Sequence, residues 1–133
     1  MNRLTEQEAV QKESLSLALV GDGVWTLYVR EKLILKHDCK SGLLSKKCVD
    51  YVNAAAQCKM LYALEGKLTE TEEDVARRAR NAHTHLRAKN ASLDEYKKAT
   101  ALEALIGYLY LTGQDDRLKE IQEICFNSVE VVK

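Results

Sequence analysis

Apolar residues recur along this chain mostly three and four positions apart, the spacing of one face of a helix. From Leu15 to about Lys36, positions 15, 19, 20, 24, 27, 28 and 34 form such a stripe, which predicts a first long helix. His37-Asp38-Cys39-Lys40-Ser41-Gly42 is a polar break. A second helix is predicted from about Leu43 to Leu64, with Leu44, Cys48, Tyr51, Val52, Ala55, Cys58 and Leu61 as its stripe and Gly66 as its stop. Thr69 and Glu72 have the spacing of a capping box, as do Ser92 and Glu95. They open a helix ending near Asn81 and another from Leu93 to Thr112, closed by Gly113. Leu102, Leu105, Ile106 and Leu109 supply the latter's apolar face. A last helix is predicted from Asp115 to about Val131, with Leu118, Ile121, Ile124, Cys125 and Val129 inward. The first 12 residues are polar and predict a short leading helix or a frayed end. The fold class expected is all-α, a compact bundle of five to seven helices.

Composition sharpens this picture. The chain has 133 residues, 46% of them apolar, no proline and six glycines, which suits long helices and one domain. Twenty basic residues balance 20 acidic ones, so the formal net charge is zero, which counts mildly against a nucleic-acid binder. Cys39, Cys48, Cys58 and Cys125 form no C-x-x-C pair. They read as idle thiols of a reducing compartment rather than zinc ligands. The N-terminus carries no signal-peptide pattern, and the longest apolar stretch, Leu15 to Val29, is interrupted by Asp22. A cytoplasmic location is expected.

Two positions stand out against the apolar pattern. Gly21-Asp22-Gly23 places a carboxylate between two glycines in the middle of an apolar helix. Each helix-interior glycine costs roughly 1 kcal/mol relative to alanine, and buried acids are rare without partners. Glu103 is the acid of an otherwise apolar stretch from Ala99 to Tyr110, and Gly107 follows it by one turn on the same face. Gly107 leaves room there for another backbone or a ligand. Taken alone, Asp22 could bond backbone groups or an arginine, and Glu103 could reach solvent from a helix edge. If the two helices pack together, the pair would repel unless protonated or bridged by a cation. Mg²⁺ fits, since it takes oxygen ligands and binds through one or two carboxylates plus water and phosphate.

The stretch Leu17-Ala18-Leu19-Val20-Gly21-Asp22-Gly23-Val24 resembles the L-x-x-L-G-D-A-V signature of the ribonuclease III nuclease domain. Ala101-Leu102-Glu103-Ala104-Leu105-Ile106-Gly107-Tyr108-Leu109-Tyr110 resembles that family's E-A-L-I-G-A-L-Y signature. The match is closest to its miniature subgroup, Mini-ribonuclease III, which has the nuclease domain and no separate double-stranded-RNA-binding domain. Tyr28-Val29-Arg30-Glu31, Arg80-Asn81-Ala82, Lys89-Asn90-Ala91 and Leu111-Thr112-Gly113-Gln114 look like that subgroup too. The resemblance spans roughly residues 14 to 124 and implies that residues 1–133 are a single ribonuclease III-like nuclease domain.

The resemblance further implies a two-fold homodimer that cuts double-stranded RNA with Mg²⁺, or Mn²⁺ as a substitute. Asp22 and Glu103 match the family's catalytic, metal-holding acids. A metal-activated water would attack the phosphodiester and leave 5′-phosphate and 3′-hydroxyl ends. The subgroup implies maturation of precursor large-subunit (23S) ribosomal RNA in a bacterium. Full-length ribonuclease III enzymes carry two more acids, where this chain has Ala18 and Thr100. One firmly held Mg²⁺ per site is therefore expected, with any second ion recruited by substrate. The alternative is a catalytically weak or inactive module that binds structured RNA.

For RNA binding, a neutral chain must concentrate its positive charge. Residues 77–89 carry five basic residues and no acid, while acids crowd positions 65, 70, 72, 73 and 74. Arg77, Arg78, Arg80, Asn81, His83, His85, Arg87, Lys89 and Asn90 are the expected RNA contacts, suited to phosphates and 2′-hydroxyls of a duplex. A solvated helix end with a basic C-terminus would have the same composition, and His83-x-His85 has a spacing that could ligate a metal. Lys97 and Lys98 could extend the track. A duplex has approximate two-fold symmetry, and a dimer would present two sites to its two strands. The first long helix, including Trp25, is a candidate dimer surface, although Trp25 suits a core equally well.

Overall fold

Three helices begin with reciprocal capping boxes. Thr5 and Glu8 open α1 (Glu6–Val10), Thr69 and Glu72 open α5 (Glu70–Arg80), and Ser92 and Glu95 open α6 (Leu93–Leu111). In each, the hydroxyl accepts the N–H three residues on and the glutamate accepts the cap's own N–H, satisfying two donors that a helix start leaves free. The computed structural model describes residues 3–82 and 92–129. The other helices are α2 (Ser14–Lys36), α3 (Ser41–Val52), α4 (Ala54–Ala63) and α7 (Asp115–Asn127), so the described residues hold seven helices and no strand. Gly66 and Gly113 adopt positive φ, 79° and 70°, just beyond the ends of α4 and α6, as helix-stop glycines do.

The central element is α6. From Ala99 to Leu109 every residue except Glu103 is buried. Helix α2 lies along it, and α4 and α5 pack on its other sides. The closest approach lies where α2 crosses α6. A methyl group built on Gly21 would stand 1.7 Å from the carbonyl oxygen of Glu103, and one on Gly107 would stand 2.0 Å from that of Leu17. These distances are far inside van der Waals contact, so both positions require glycine. The room beside Glu103 is therefore filled by the backbone of α2. Gly23 differs, with nothing within 4 Å of a built Cβ.

The apolar stripe expected on the first long helix faces the core only in part: Val24 and Tyr28 pack against it, but other positions do not. Leu17, Ala18, Gly21, Trp25, Val29 and Leu33 are buried. Leu19, Leu27 and Ile34 are 74%, 65% and 61% exposed. The helix is apolar on two faces, so periodicity alone mixes the two. Trp25 is wholly buried, stacks on Tyr28 and donates its indole N–H to the Tyr51 carbonyl at 2.7 Å. It belongs to the core and not to a dimer surface.

The single helix expected from Leu43 to Leu64 is two. Asn53 is extended, with φ −85° and ψ 158°, and stitches the break. Its side-chain amide donates to the Val49 carbonyl at 2.9 Å and its oxygen accepts from the Ala56 N–H at 2.8 Å. Asparagine competes in this way with the helix it interrupts. The polar break before α3 is shorter than expected, because Ser41 and Gly42 already belong to that helix, and α7 stops at Asn127 rather than near Val131.

Arg117 joins the start of α7 to the start of α5. It holds the buried Glu72 carboxylate with two bonds of 2.7 and 2.9 Å and donates to the Lys67 carbonyl at 2.8 Å. That guanidinium, more than any other neighbour, holds the Glu72 carboxyl below the usual range. All four cysteines are free, and Cys48, Cys58 and Cys125 are buried. Burial pushes the Cys125 thiol up to about 12, which suits an idle core residue. Among the described residues, no helix is long and apolar enough to cross a membrane.

The three glycines should separate in a urea-denaturation series. Gly21→Ala and Gly107→Ala force backbone apart and are expected to lose roughly 3 kcal/mol or more. Gly23→Ala meets open space within its own chain and removes a helix-interior glycine, so measured on the monomer it should gain about 1 kcal/mol.

Candidate active site

The crossing of α2 and α6 brings the two acids together. Asp22 follows Gly21 on α2, and Glu103 supplies the carbonyl against which Gly21 packs. The two carboxyl groups lie within hydrogen-bonding reach of each other. Their surroundings differ. Asp22 is exposed and faces solvent, contrary to the buried position expected for it, while Glu103 is half-buried. Burial pushes the Glu103 carboxyl up to about 8, and the adjacent Asp22 adds to that rise, so Glu103 holds its proton near neutral pH. Gln57, buried on the first turn of α4, acts on the Glu103 carboxyl in the opposite direction.

The positions of the two further acids of full-length ribonuclease III enzymes contribute no ligand. Ala18 is buried in the core, and the Thr100 hydroxyl donates to the Tyr96 carbonyl one turn back, at 3.0 Å. Among the described residues, no group of three or more His, Cys, Asp or Glu side chains converges on a point. What remains is two carboxylates and one amide, all hard oxygen-bearing groups, with one carboxylate open to solvent. A protonated acid beside a second carboxyl group is where a divalent cation fits, because the ion can replace the proton and relieve the repulsion.

The basic residues group at the C-terminal end of α5. Arg77, Arg78 and Arg80 lie in its last turn, Asn81 caps it, and all four are exposed. Two of the arginines have intramolecular partners: Arg77 pairs with Asp74, and Arg78 donates to the Val10 carbonyl at 3.0 Å, tying α5 to α1. Arg77 and Arg80 line a cavity of about 250 Å³ with Leu61 of α4, Leu64 at that helix's C-terminal cap, and Lys98 of α6. Lys98 is itself engaged, to Asp94 at 3.1 Å and to the Tyr62 hydroxyl. His83, His85, Arg87, Lys89 and Asn90 lie outside the described residues.

A family model described as "Ribonuclease III domain" matches residues 15–114. The chain belongs to the ribonuclease III family. Its enzyme class is that of the ribonuclease III endoribonucleases. Among its relatives, the Mini-ribonuclease 3 of Thermoanaerobacter sp. (strain X514) is 38% identical, over 98% of this chain and 89% of the relative. The Mini-ribonuclease 3 of Brevibacillus brevis is 45% identical, over 87% of each. A crystal structure of a Fusobacterium nucleatum protein superposes with a TM-score of 0.79 at 32% identity, covering 88% of this chain and 93% of that one. Chains of the ribonuclease III family are typically metal-dependent, in keeping with an oxygen-rich carboxylate pair at the helix crossing.

Sequence patterning singles out Asp22 and Glu103 but passes over Gln57. The one available signal was a long polar amide in an alanine-rich turn, Ala54-Ala55-Ala56-Gln57, one residue beyond the alanines.

The raised Glu103 carboxyl makes a prediction about the metal-free protein. Its ordinary value is 4.5 and its folded value about 8, so the folded chain binds the extra proton between these limits. Its contribution to stability is complete below the lower value and is lost as pH rises through the upper one. Between about pH 5 and about pH 9, the melting temperature of the wild type should fall relative to Glu103→Gln. Parallel pH profiles for the two proteins would refute the buried, protonated Glu103.

Proposed function

We propose that this chain is a Mg²⁺-dependent endoribonuclease that cleaves double-stranded RNA and matures precursor 23S ribosomal RNA, with residues 1–133 acting as one nuclease domain. Mn²⁺ would substitute for Mg²⁺. The reading rests on one observation above the others: two interacting carboxyl groups, on different helices, brought together where the backbones of α2 and α6 touch at Gly21 and Gly107. Similarity to Mini-ribonuclease 3 proteins across nearly the whole chain supports it.

In this reading Asp22 and Glu103 are the metal ligands and the catalytic acids. Bound Mg²⁺ supplies a water of lowered pKa and offsets negative charge on the phosphate. The helix crossing keeps the two carboxylates at a set separation. Asp22 meets substrate from the solvent side, and Glu103 gives up its proton from the drier side as the ion is taken up. Hydrolysis leaves 5′-phosphate and 3′-hydroxyl ends. Arg80 and Asn81 contact the duplex backbone, with Arg77 and Arg78 beside them. His83, His85, Arg87, Lys89 and Asn90 continue that track. Arg77 and Arg78 have to give up or share their present partners to contribute fully.

A homodimer completes the reading. Leu19, Gly23, Leu27 and Ile34 recur on one side of α2, away from the face that packs on α6. An exposed apolar stripe of this kind on a monomer marks an interface. A second copy using the same stripe would form the two-fold contact that a duplex substrate requires.

Two measurements test this. With a structured RNA duplex and Mg²⁺, the wild type should cut, while Asp22→Asn and Glu103→Gln should bind the duplex yet lose on the order of 100-fold or more in rate. A wild type that binds and never cuts would end the nuclease reading. Separately, sedimentation of the wild type should give the mass of two chains and that of Leu27→Asp the mass of one.

A further inference from the structure

We propose that the cavity between α4, α5 and α6 seats one unpaired nucleobase of the substrate, so that the chain selects RNA duplexes interrupted by a bulged nucleotide beside the cut. This rests on the reading of the chain as a double-stranded-RNA nuclease.

The cavity holds about 250 Å³, the scale of a single ring system rather than of a drug-sized ligand. Leu64, Ala76 and Ala101, all buried, give it an apolar floor. Tyr62 lines it as well and is 55% exposed. The Tyr62 hydroxyl accepts from the Lys98 ammonium, whose other partner is Asp94 at 3.1 Å. The ring is therefore anchored at its polar end before any ligand arrives, which lowers the ordering cost of stacking a base on it.

Charge decides what kind of group fits. Arg77, Arg80 and Lys98 line the cavity, but so do Glu65 and Glu73, and Asp74 and Asp94 pair with Arg77 and Lys98. Three cations among four acids make a poor seat for a phosphate. A neutral, flat, polarisable ring suits the apolar floor and the tyrosine, with its own phosphate left outside. Arg80 both lines the cavity and ends α5, next to Asn81, so the proposed backbone contacts begin where the cavity does.

A regular RNA duplex gives such a chain little to choose by. Its major groove is too deep and narrow for side chains to read, and phosphate contacts carry no sequence. A paired base leaves the stack only at a cost, whereas a bulged one has no pairing to lose. On α6, Lys98 and Ala101 precede Glu103 by five and two residues, so the cavity lies within about 8 Å of that acid along the helix axis, on the side turned to α4 and α5. A nucleotide seated there would fix the register of the duplex at the proposed metal site.

The probe is a short RNA duplex with one bulged 2-aminopurine, a fluorescent base that stacking quenches, measured beside the same duplex fully paired. Asp22→Asn with Mg²⁺ is the binding form, since on the proposed function it holds RNA without cutting it. The bulged duplex should bind about 10-fold more tightly than the paired one, with its emission quenched. Adding Tyr62→Ala should erase both effects and leave the paired duplex bound as before. Adding Tyr62→Phe, which keeps the ring, should preserve them. A tyrosine that only touches the RNA backbone would weaken both duplexes alike when replaced by alanine. That outcome, equal affinity for the two duplexes, unquenched emission, or loss of the preference in Tyr62→Phe overturns the proposal and leaves the nuclease reading standing. Should Tyr62→Ala fold poorly, the bulge preference and the quenching in its parent and in Tyr62→Phe decide. Binding to neither duplex overturns the double-stranded-RNA reading itself.

Discussion

Everything in this molecule that bears on chemistry hangs on backbone touching backbone. Where α2 meets α6, the Glu103 carbonyl sits in the space a side chain on Gly21 would fill, and the Leu17 carbonyl does the same at Gly107. Removing two β-carbons lets the helix axes approach more closely than ordinary side chains permit. Buried apolar surface on both helices holds them there, with Trp25, Val29 and Leu33 on one and Leu102, Leu105 and Ile106 on the other. The carboxylate pair is then a geometric result. Asp22 is adjacent to one contact residue, and Glu103 is another.

The two acids are alike in sequence setting and unlike in environment. One side of the pair is open to water and the other sits among buried apolar groups, which explains the proton retained by Glu103 near neutral pH. An asymmetric pair has a use that a symmetric one lacks. The exposed member can greet a hydrated ion, while the drier member releases its proton only when a stronger positive charge arrives. Helix α2 carries core residues on one side and an exposed apolar stripe on the other, so it serves two surfaces at once.

Much of this could be read from residue order. The helix starts at Thr69 and Ser92 follow from local capping chemistry, which acts over four residues and is written there in full. The acids at 22 and 103 were visible because each breaks an apolar run. Other features were not. Leu19, Leu27 and Ile34 fit a 3.6-residue stripe as well as the true core positions do, and only the partner helix decides between them. The break at Asn53 is invisible to periodicity, because the apolar positions continue across it; it depends on a side chain bonding its own neighbouring backbone. The exposure of Asp22 and the placement of Gln57 are tertiary facts, set by how α2 and α4 lie against α6. The two glycines beside Asp22 differ in the same way: Gly21 serves packing, and a Cβ on Gly23 would meet nothing within 4 Å.

The glycine pair and the acid pair answer to different demands, although they share two turns of helix. If the proposed roles of Asp22 and Glu103 hold, a descendant that gave up catalysis could exchange both acids and keep its shape. It could not exchange Gly21 or Gly107 without prising the helices apart. Across diverging sequences, the glycines therefore report inheritance of the architecture, and the acids, on the proposed assignment, report inheritance of the reaction. A lineage that keeps the first pair and loses the second has retained the scaffold after retiring the enzyme.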